Sequence, residues 1–439
     1  MKKINTGEKL LRIAKNIIPG GNQLLSKRSE RFLPGLWPSY YKKAKGCSVW
    51  DLNNKKFYDF AGMGVTSCVL GYADHDVNKA ITMSLKKGAM TSLNCEEEIN
   101  LAKKLIEIHP WANMSKFARS GGEACAIAIR IARTYSKKNS ILFCGYHGWH
   151  DWYISSNLSN TRNLDNQLLP GLKSDGIPKK LSNTAIPFEY NNIDSFLKNF
   201  KKYKDQIGAI IMEPQRSIKP DMNFLKLIRK ITKENNIPLI FDEITSAFHD
   251  NFGGIHLKLK VYPDIAVFSK ALGNGTPISA IVGKKKIMDC AQDTFISSTM
   301  WTERIGFVAA LETLRKMKEK KVQEKIVKNG LIIKNCWLKI AKKFDLKIQI
   351  SGMDSMPSFN LDYKNSNELH TYFTQEMLNK GFLATNSVTV SFAHNSQIIN
   401  KYLKQTEFVF KKIKKLLDEN SNIPLKNKPR DLNFTRLVK

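Results

Sequence analysis

Short apolar runs alternate with helical stretches between about residues 100 and 283, and this alternation constrains the fold more than any other feature. Strands that alternate with helices predict a mostly parallel sheet with helices on both faces. Ligands of such sheets bind at the carboxyl ends of the strands, so residues that follow each run are candidate functional residues. The apolar runs cover 115–118, 140–144, 208–212, 238–241, 264–268 and 279–282, and the helical stretches between them include 122–136, 193–203 and 224–235.

The two ends of the chain have a different pattern, and we expect them to form a smaller α+β domain. With 439 residues the chain is long for one domain. The N-terminal segment contains an amphipathic stretch that ends before Pro19 and a hairpin over 47–60. The C-terminal part is rich in helical patterns and ends in a basic tail. We therefore predict a large domain over 61–315 and a small domain built from 1–60 and 316–439.

The chain carries a formal net charge of +31, which raises the question of a nucleic-acid partner. Its lysines are dispersed in pairs and triplets along the whole length, and no basic stripe carries interleaved aromatic residues. A dispersed charge is typical of a solvated surface and does not by itself define a function. We therefore expect no nucleic-acid partner.

Cysteine usage and hydropathy indicate the compartment. The seven cysteines are odd in number and none has C-x-x-C spacing, which argues against a disulfide framework and for a reducing environment. Residues 1–18 are charged throughout and lack the apolar core of a signal peptide. No apolar run approaches the roughly 20 residues of a membrane span. We expect a cytoplasmic protein without a membrane partner.

A carboxylate and a lysine follow two of the apolar runs. Asp242 and Glu243 come directly after 237–241, and Lys270 follows the run at 264–268, before a glycine-rich turn. Partial burial lowers the pKa of a lysine amine and makes it a nucleophile for carbonyl groups. Each residue also has an ordinary structural explanation, a helix cap for Asp242 and a lysine that extends to solvent for Lys270.

Three further motifs also stand at predicted strand ends. Ser120, Gly121 and Gly122 open a helix, where backbone N–H groups and the helix dipole favour a phosphate. Tyr146 offers a flat face for a planar ring and is followed by His147. The third motif follows the run at 208–212: Glu213 offers a carboxylate, and Arg216 offers a clamp for a substrate carboxylate.

The ordered set of these motifs resembles the class III aminotransferases, which are fold type I pyridoxal-phosphate (PLP) enzymes. The resemblance covers about residues 8–420 and is closest to the glutamate-1-semialdehyde aminomutases and their relatives. It implies an α/β fold with a mostly parallel sheet, and amino-group transfer that proceeds ping-pong through a pyridoxamine form. The resemblance also implies PLP as cofactor and a homodimer with shared active sites.

The resemblance assigns a role to each motif. Lys270 matches the Schiff-base lysine that also shuttles a proton, and Asp242 matches the aspartate paired with the pyridinium nitrogen. Tyr146 matches the aromatic residue stacked on the ring, with His147 beside it. The remaining matches are the phosphate-binding turn at 120–122, Glu213 near the substrate side of the cofactor, and Thr299, whose counterpart reaches the phosphate in the neighbouring subunit.

Two departures from the family pattern put the substrate in doubt. The family's G-N-P after the threonine is replaced here by residues 302–304, Thr-Glu-Arg. The N-terminal G-G-V-N-S-P-V-R pattern is also altered, so that Ser26 and Arg28 stand in a shifted register. Ser26, Arg28 and Arg216 are the candidates for binding the substrate carboxylate.

Three alternatives stay open at this stage. The first is a glutamate-1-semialdehyde 2,1-aminomutase proper, in which the amino group moves within one molecule. The second is a nucleic-acid binder that keeps the fold and has lost activity. The third is a metal hydrolase on His147, His150 and Asp151, although catalytic zinc usually has three protein ligands and no clear third ligand accompanies the two histidines. We therefore expect no metal.

Overall fold

A computed structural model describes residues 6–215 and 217–433, and the chain divides into two compact units. The first unit consists of residues 1–74 and 324–439, and the second of residues 75–323. The strands are β1 (Tyr41–Lys45), β2 (Ser48–Asp51), β3 (Lys56–Phe60), β4 (Met114–Ala118), β5 (Ser140–Cys144), β6 (Ala185–Pro187), β7 (Ile207–Met212), β8 (Leu239–Asp242), β9 (Ile265–Phe268), β10 (Ser279–Gly283), β11 (Ile348–Gly352), β12 (Pro357–Leu361) and β13 (Phe382–Ala384).

Helices cover much of the remaining chain. The α-helices are α1 (Thr6–Ile17), α2 (Met63–Thr66), α3 (His75–Leu85), α4 (Glu96–Ile108), α5 (Gly121–Ser136), α6 (Asp151–Ile154), α7 (Ser156–Ser159), α8 (Ile193–Tyr203), α9 (Met222–Glu234), α10 (Ile255–Leu259), α11 (Lys285–Met288), α12 (Arg304–Glu319), α13 (Val322–Lys343), α14 (Ser366–Asn379) and α15 (Ser396–Asp418). None of those in the described part of the chain combines the length and apolarity needed to cross a bilayer.

The second unit is built on a seven-stranded sheet in the order β4-β10-β9-β8-β7-β5-β6. All neighbours are parallel except β10, which is antiparallel to both β4 and β9. The mostly parallel sheet predicted from the alternating pattern is therefore confirmed. Every apolar run of the sequence became a strand, whereas β6 has only three residues, ends in Pro187 and was not predicted.

Both faces of this sheet are buried, which explains why its strands read as continuous apolar runs. Along β7, Ala209 and Ile211 pack into one core cluster with α5, while Ile210 and Met212 pack into another with α8 and α9. The helices begin at capping residues, since Asn192 and Asp221 each accept a hydrogen bond from a backbone N–H of the first turn of α8 and α9.

The first unit contains a four-stranded sheet in the order β1-β2-β3-β13 and the hairpin β11-β12. The predicted hairpin over 47–60 corresponds to β2 and β3, which pair antiparallel. The basic C-terminal segment is fastened to this unit, because Lys426 donates a backbone hydrogen bond to Gln375 and Arg430 donates to Asn386. The part of the predicted tail that the structure describes is thus held by hydrogen bonds.

Candidate active site

The parallel strands bring the predicted site residues of the second unit to one edge of its sheet. Strand β8 ends at Asp242, which is paired with Val267 of the neighbouring β9, and Lys270 lies three residues beyond Val267. Glu213 follows the last residue of β7. In the same way, the segment 145–147 follows β5, so that four adjacent strands contribute to one carboxyl-end edge.

The amine of Lys270 lies among polar groups at this edge. Its Nζ donates a hydrogen bond to Thr245 Oγ1 at 2.8 Å. Burial lowers the pKa of Lys270 below its ordinary value, and the negative charges of Glu213 and Asp242 partly oppose that shift. A lysine with a lowered pKa is neutral more often than a surface lysine, which makes it a better nucleophile and proton acceptor.

The backbone of Lys270 is strained. Its φ is +43°, in the left-handed region that non-glycine residues adopt at a cost of order 1 kcal/mol. The strained residue opens a short 3-10 turn, 270–273, directly after strand β9. Residues held in this way cluster at functional sites, where the surrounding structure maintains the conformation.

Asp242 is buried, with 3% of its surface exposed, and its carboxylate is surrounded by donors. Its Oδ2 lies 2.7 Å from His147 Nδ1 and accepts a hydrogen bond from Cys125 Sγ at 3.4 Å. Its Oδ1 accepts the backbone N–H of Ile244 at 3.0 Å. Hydrogen bonds of this kind compensate a buried carboxylate for the water that it loses on burial.

Tyr146 and His147 are adjacent in sequence but have different environments. Tyr146 is 44% exposed, and its ring packs edge-on against Tyr153. Desolvation of the part of its ring that the protein covers, together with the nearby negative groups, raises the pKa of Tyr146, which keeps its phenol protonated. His147 is fully buried, and its ring contacts Phe143, Trp152 and Tyr153 while its Nδ1 faces Asp242. Tyr146 thus presents a ring at the surface of the site, and His147 lies within the protein.

The glycine turn begins helix α5 through a capping box. Ser120 accepts a hydrogen bond from the backbone of Glu123, and Glu123 accepts one from the backbone N–H of Ser120. A Cβ at Gly121 would lie 2.7 Å from Ile244 Cδ1, and one at Gly148 would lie 2.8 Å from the Cα of Gly122. Gly148 therefore has to be glycine because the backbone of Gly122 lies against it, whereas a side chain at Gly121 would require Ile244 to move. The turn places the positive end of a 16-residue helix at the site.

Glu213 is bound to the loop that carries Tyr146. Its Oε2 accepts the backbone N–H of Tyr146 at 3.1 Å. The loop approaches the carboxylate so closely that a Cβ at Gly145 would lie 2.4 Å from the same oxygen. Gly145 also has a φ of +116°, so the position requires glycine for two reasons.

Thr299 lies in an exposed turn, 299–302, that precedes helix α12. Arg119 supports this turn by donating hydrogen bonds to the carbonyls of Met300 at 2.7 Å and Trp301 at 3.2 Å. Glu303 caps α12 by accepting the backbone N–H of Gly306 at 3.2 Å. Because Glu303 acts as a helix cap, part of the sequence that departs from the family's G-N-P has a structural function.

The candidate residues for substrate binding are placed differently. Ser26 lies in a 3-10 turn of the first unit, and Arg28 follows it, with its guanidinium against Gly20. Arg216 lies outside the described residues. Binding of a substrate carboxylate by these three residues stays a prediction.

Three residues of the site were not predicted from the sequence. Thr245 binds the amine of Lys270, and Cys125 binds Asp242. Gln167 shapes the loop before Tyr146, because its Oε1 accepts the backbone N–H of Gly145 at 2.7 Å. Thr245 could have been found from its position three residues after Asp242, whereas Cys125 and Gln167 carry no local signal.

The H-x-x-H pair does not form a ligand set in the described part of the structure. His147 faces Asp242, while the ring of His150 stacks on Trp149 at a centroid distance of 4.6 Å. The group of potential ligand atoms that converges here is instead Cys125, His147 and Asp242, whose atoms lie within 4.8 Å of one another. The hydrolase proposed for His147, His150 and Asp151 gains no support from this geometry.

Known proteins similar to this chain are aminotransferases and aminomutases. A family model described as aminotransferase class-III matches residues 35–414. The chain is 33% identical to a glutamate-1-semialdehyde 2,1-aminomutase of Nitrosopumilus maritimus, over 93% of this chain and 100% of that protein. It is 30% identical to a 3-aminobutyryl-CoA aminotransferase of Cloacimonas acidaminovorans, over 81% of this chain and 83% of that protein.

A solved structure resembles the whole chain. It is the FumI protein of Sphingopyxis sp. MTA144, described as a PLP internal aldimine form. The TM-score is 0.84 with 22% sequence identity, and the match covers 97% of this chain and 98% of that one. At this identity the likeness supports the fold, which is fold type I as expected.

Proposed function

Because the chain belongs to the class III aminotransferase family and is a PLP-dependent enzyme that transfers amino groups, we propose that Lys270, Asp242 and Tyr146 form its catalytic centre. The observation that carries this proposal is that the amine of Lys270, whose pKa is lowered by desolvation, shares a sheet edge with the buried carboxylate of Asp242. An inactive nucleic-acid binder would not need to keep these two groups together.

The residues present fit the cofactor. Lys270 supplies an amine for its aldehyde, Asp242 a carboxylate for its ring nitrogen and Tyr146 a face for its ring. Gly121 and Gly122 supply N–H groups at a helix N-terminus for its phosphate. When bound, PLP supplies an electron sink that stabilises the negative charge left on carbon when a proton is removed.

We assign the following roles to the protein's own groups. Lys270 Nζ would take a proton from the substrate carbon that bears the amino group and deliver it to C4′ of the cofactor, the carbon of its aldehyde. Asp242 holds a proton on the ring nitrogen, because an ionised carboxylate favours a cationic partner. Ser120, Gly121 and Gly122 bind the phosphate. His147 lies behind Asp242, and Glu213 anchors the loop of Tyr146 on the substrate side.

For the substrate, we propose transfer between an external amino donor and a carbonyl acceptor, in two half-reactions through a pyridoxamine form. The alternative is intramolecular transfer, as in the related glutamate-1-semialdehyde 2,1-aminomutase. Similarity to a protein named 3-aminobutyryl-CoA aminotransferase supports transfer from an external donor in this chain. Both reactions use every group named above, so the difference lies in whether the intermediate leaves the site.

A turnover count with glutamate-1-semialdehyde separates the two reactions. We load the protein with the pyridoxamine form of the cofactor, remove excess, and add a large excess of glutamate-1-semialdehyde without an amino donor. A transaminase stops after about one product per site and resumes when a donor such as glutamate is added, which is the result we expect. Continued turnover without a donor would instead identify a mutase.

We further propose a homodimer in which Thr299 reaches the phosphate site of the partner. Support comes from the exposed apolar side chains near the turn 299–302, since Leu93, Phe295 and Met300 are 82%, 82% and 60% exposed. The segment that carries Leu93 lies beside the turn 299–302, because Thr302 Oγ1 donates a hydrogen bond to Met90 Sδ. Exposed apolar clusters of this kind are typical of protein–protein interfaces.

Mixing two inactive variants tests the shared site. Thr299→Ala weakens phosphate binding and Lys270→Ala removes the nucleophile, so each homodimer is inactive at limiting PLP. If Thr299 serves the partner, a mixed dimer carries both changes in one site and none in the other. We expect activity to reappear after subunit exchange, measured as amino-group transfer. No recovery, despite mixed dimers shown by mass spectrometry, would place Thr299 in the site of its own subunit.

We also propose a reducing compartment, the cytoplasm. None of the seven cysteines, all of which lie in the described part of the chain, forms a disulfide bond, and four of them are buried. Such thiols persist where disulfide formation is not favoured.

A further inference from the structure

Asp242 binds two side-chain donors through a single oxygen. His147 Nδ1 lies 2.7 Å from Asp242 Oδ2, and Cys125 Sγ lies 3.4 Å from the same atom. The other oxygen accepts only a backbone N–H, that of Ile244, among the described contacts. Asp242, which we propose binds the ring nitrogen, is therefore itself hydrogen-bonded by an imidazole and a thiol.

Cys125 is placed for this contact by the helix that begins at the glycine turn. It is the fifth residue of α5 and is fully buried. Burial holds the pKa of Cys125 well above its ordinary value, and the negative charge of Asp242 acts in the same direction. The side chain is thus a protonated thiol, and a thiol beside a carboxylate oxygen acts as a hydrogen-bond donor.

We propose that Cys125 is a positioning residue that, together with His147, keeps Asp242 an ionised carboxylate directed at the ring nitrogen. This inference rests on the function proposed above. Donors to a carboxylate lower its affinity for a proton. When Cys125 and His147 both donate to Asp242, the proton between Asp242 and the ring nitrogen stays on the nitrogen. The protonated ring then withdraws electrons most strongly from the substrate carbon.

A bound metal ion is the competing explanation for the same three residues, because the potential ligand atoms of Cys125, His147 and Asp242 lie within 4.8 Å of one another. A metal would require the thiolate form of Cys125. The burial that favours the thiol, and the hydrogen-bond distance between His147 and Asp242, fit a proton-sharing group better.

The test compares Cys125→Ala, which removes the donor, with Cys125→Ser, which retains one. Cys47→Ala is the control for the general cost of a buried thiol, since Cys47 is also buried and its Sγ faces the carbonyl of Ala393. We expect Cys125→Ala to slow the half-reaction with an amino donor roughly three- to tenfold, the range of one ordinary hydrogen bond, because a thiol is a weak donor. Serine should restore most of the rate, and Cys47→Ala should not change it.

Two readouts distinguish this role from a purely structural one. With cofactor labelled at the ring nitrogen, the ¹⁵N chemical shift should move toward the unprotonated value in Cys125→Ala and return in Cys125→Ser. With a cofactor analogue that carries C–H in place of the ring nitrogen, wild type and Cys125→Ala should react at the same slow rate, because the contact with Asp242 is gone.

Other outcomes would overturn the inference. An unchanged ¹⁵N shift and rate in Cys125→Ala would show that the thiol does not influence Asp242. A stoichiometric metal ion in the purified wild type, lost in Cys125→Ala, would replace the proposal with a metal site. Failure of the proposed function itself is distinguishable, because wild type would then fail to bind PLP covalently before any Cys125 variant is compared.

Discussion

Replacing Lys270 by alanine is expected to abolish the covalent attachment of PLP and to lower the rate of amino-group transfer by at least about 10³-fold. The change removes both the nucleophile and the group that moves the proton. Wild type should show a long-wavelength absorption band, and reduction with borohydride should fix the cofactor on a peptide that contains residue 270, as read by mass spectrometry. The variant should show neither.

A matched control separates loss of the amine from loss of backbone geometry. Lys260 is also a lysine with a left-handed backbone, with φ of +54° against +43° for Lys270. Lys260→Ala makes the same substitution at a left-handed backbone position outside the site. This variant should keep the absorption band and the rate. Lys270→Arg places a permanent positive charge at this position and cannot form the link, because a guanidinium stays protonated. A borohydride-stable label elsewhere in Lys270→Ala would refute the assignment.

The lowered pKa of Lys270 also gives a sign for stability. Because charging this amine is disfavoured in the folded state, the unfolded chain binds the proton more readily and the folded apoprotein is penalised below the ordinary lysine pKa. Near neutral pH, Lys270→Ala should therefore be at least as stable as the wild-type apoprotein in urea unfolding. The difference should shrink as the pH rises toward the ordinary pKa of lysine.

The strand ends of the second unit were predictable because a strand buried on both faces needs apolar residues at every position. The continuous run at 238–241 thus located β8, and Asp242 after it, without reference to any other part of the chain. Strand β6 was missed because three residues ending in Pro187 give no such run. The antiparallel direction of β10 was also beyond local pattern, since direction depends on how the connection returns to the sheet.

The interior of the candidate site was less predictable, because its contacts join distant parts of the chain. Cys125 and Asp242 are separated by 117 positions, and Cys125 reads as one more small residue on the apolar face of α5. Tyr146 and His147 read as a single motif, yet one ring is exposed at the site and the other is enclosed behind Asp242. Sequence adjacency indicates a shared loop but not a shared direction.

The second large effect is expected from Asp242→Asn, which should retain the cofactor and slow proton removal by at least about 10²-fold. A neutral amide cannot stabilise a positive charge on the ring nitrogen, so the ring becomes a weaker electron sink. The measurement is the single-turnover rate with an amino donor, followed by the loss of the long-wavelength band.

The same substitution also has a structural cost that must be separated from the chemistry. The amide of asparagine carries N–H donors, and these would face the groups that now donate to Asp242, namely His147, Cys125 and the backbone N–H of Ile244. Such a mismatch costs about 1–3 kcal/mol. Asp264→Asn is the control, because Asp264 is also buried and binds Arg229 and Lys284 at the start of β9, the other end of the same strand pair. It should lose stability yet keep the rate per folded molecule.

A cofactor analogue with a permanent positive charge on the ring nitrogen tests whether Asp242 acts by maintaining that charge. If the role of Asp242 is to maintain that charge, an N-methylated analogue should recover a substantial part of the rate in Asp242→Asn and give no gain in wild type. If the carboxylate served only to orient the ring, the analogue would leave the variant as slow as with PLP. Near-normal turnover of Asp242→Asn with PLP itself would show that the ring nitrogen needs no carboxylate in this enzyme.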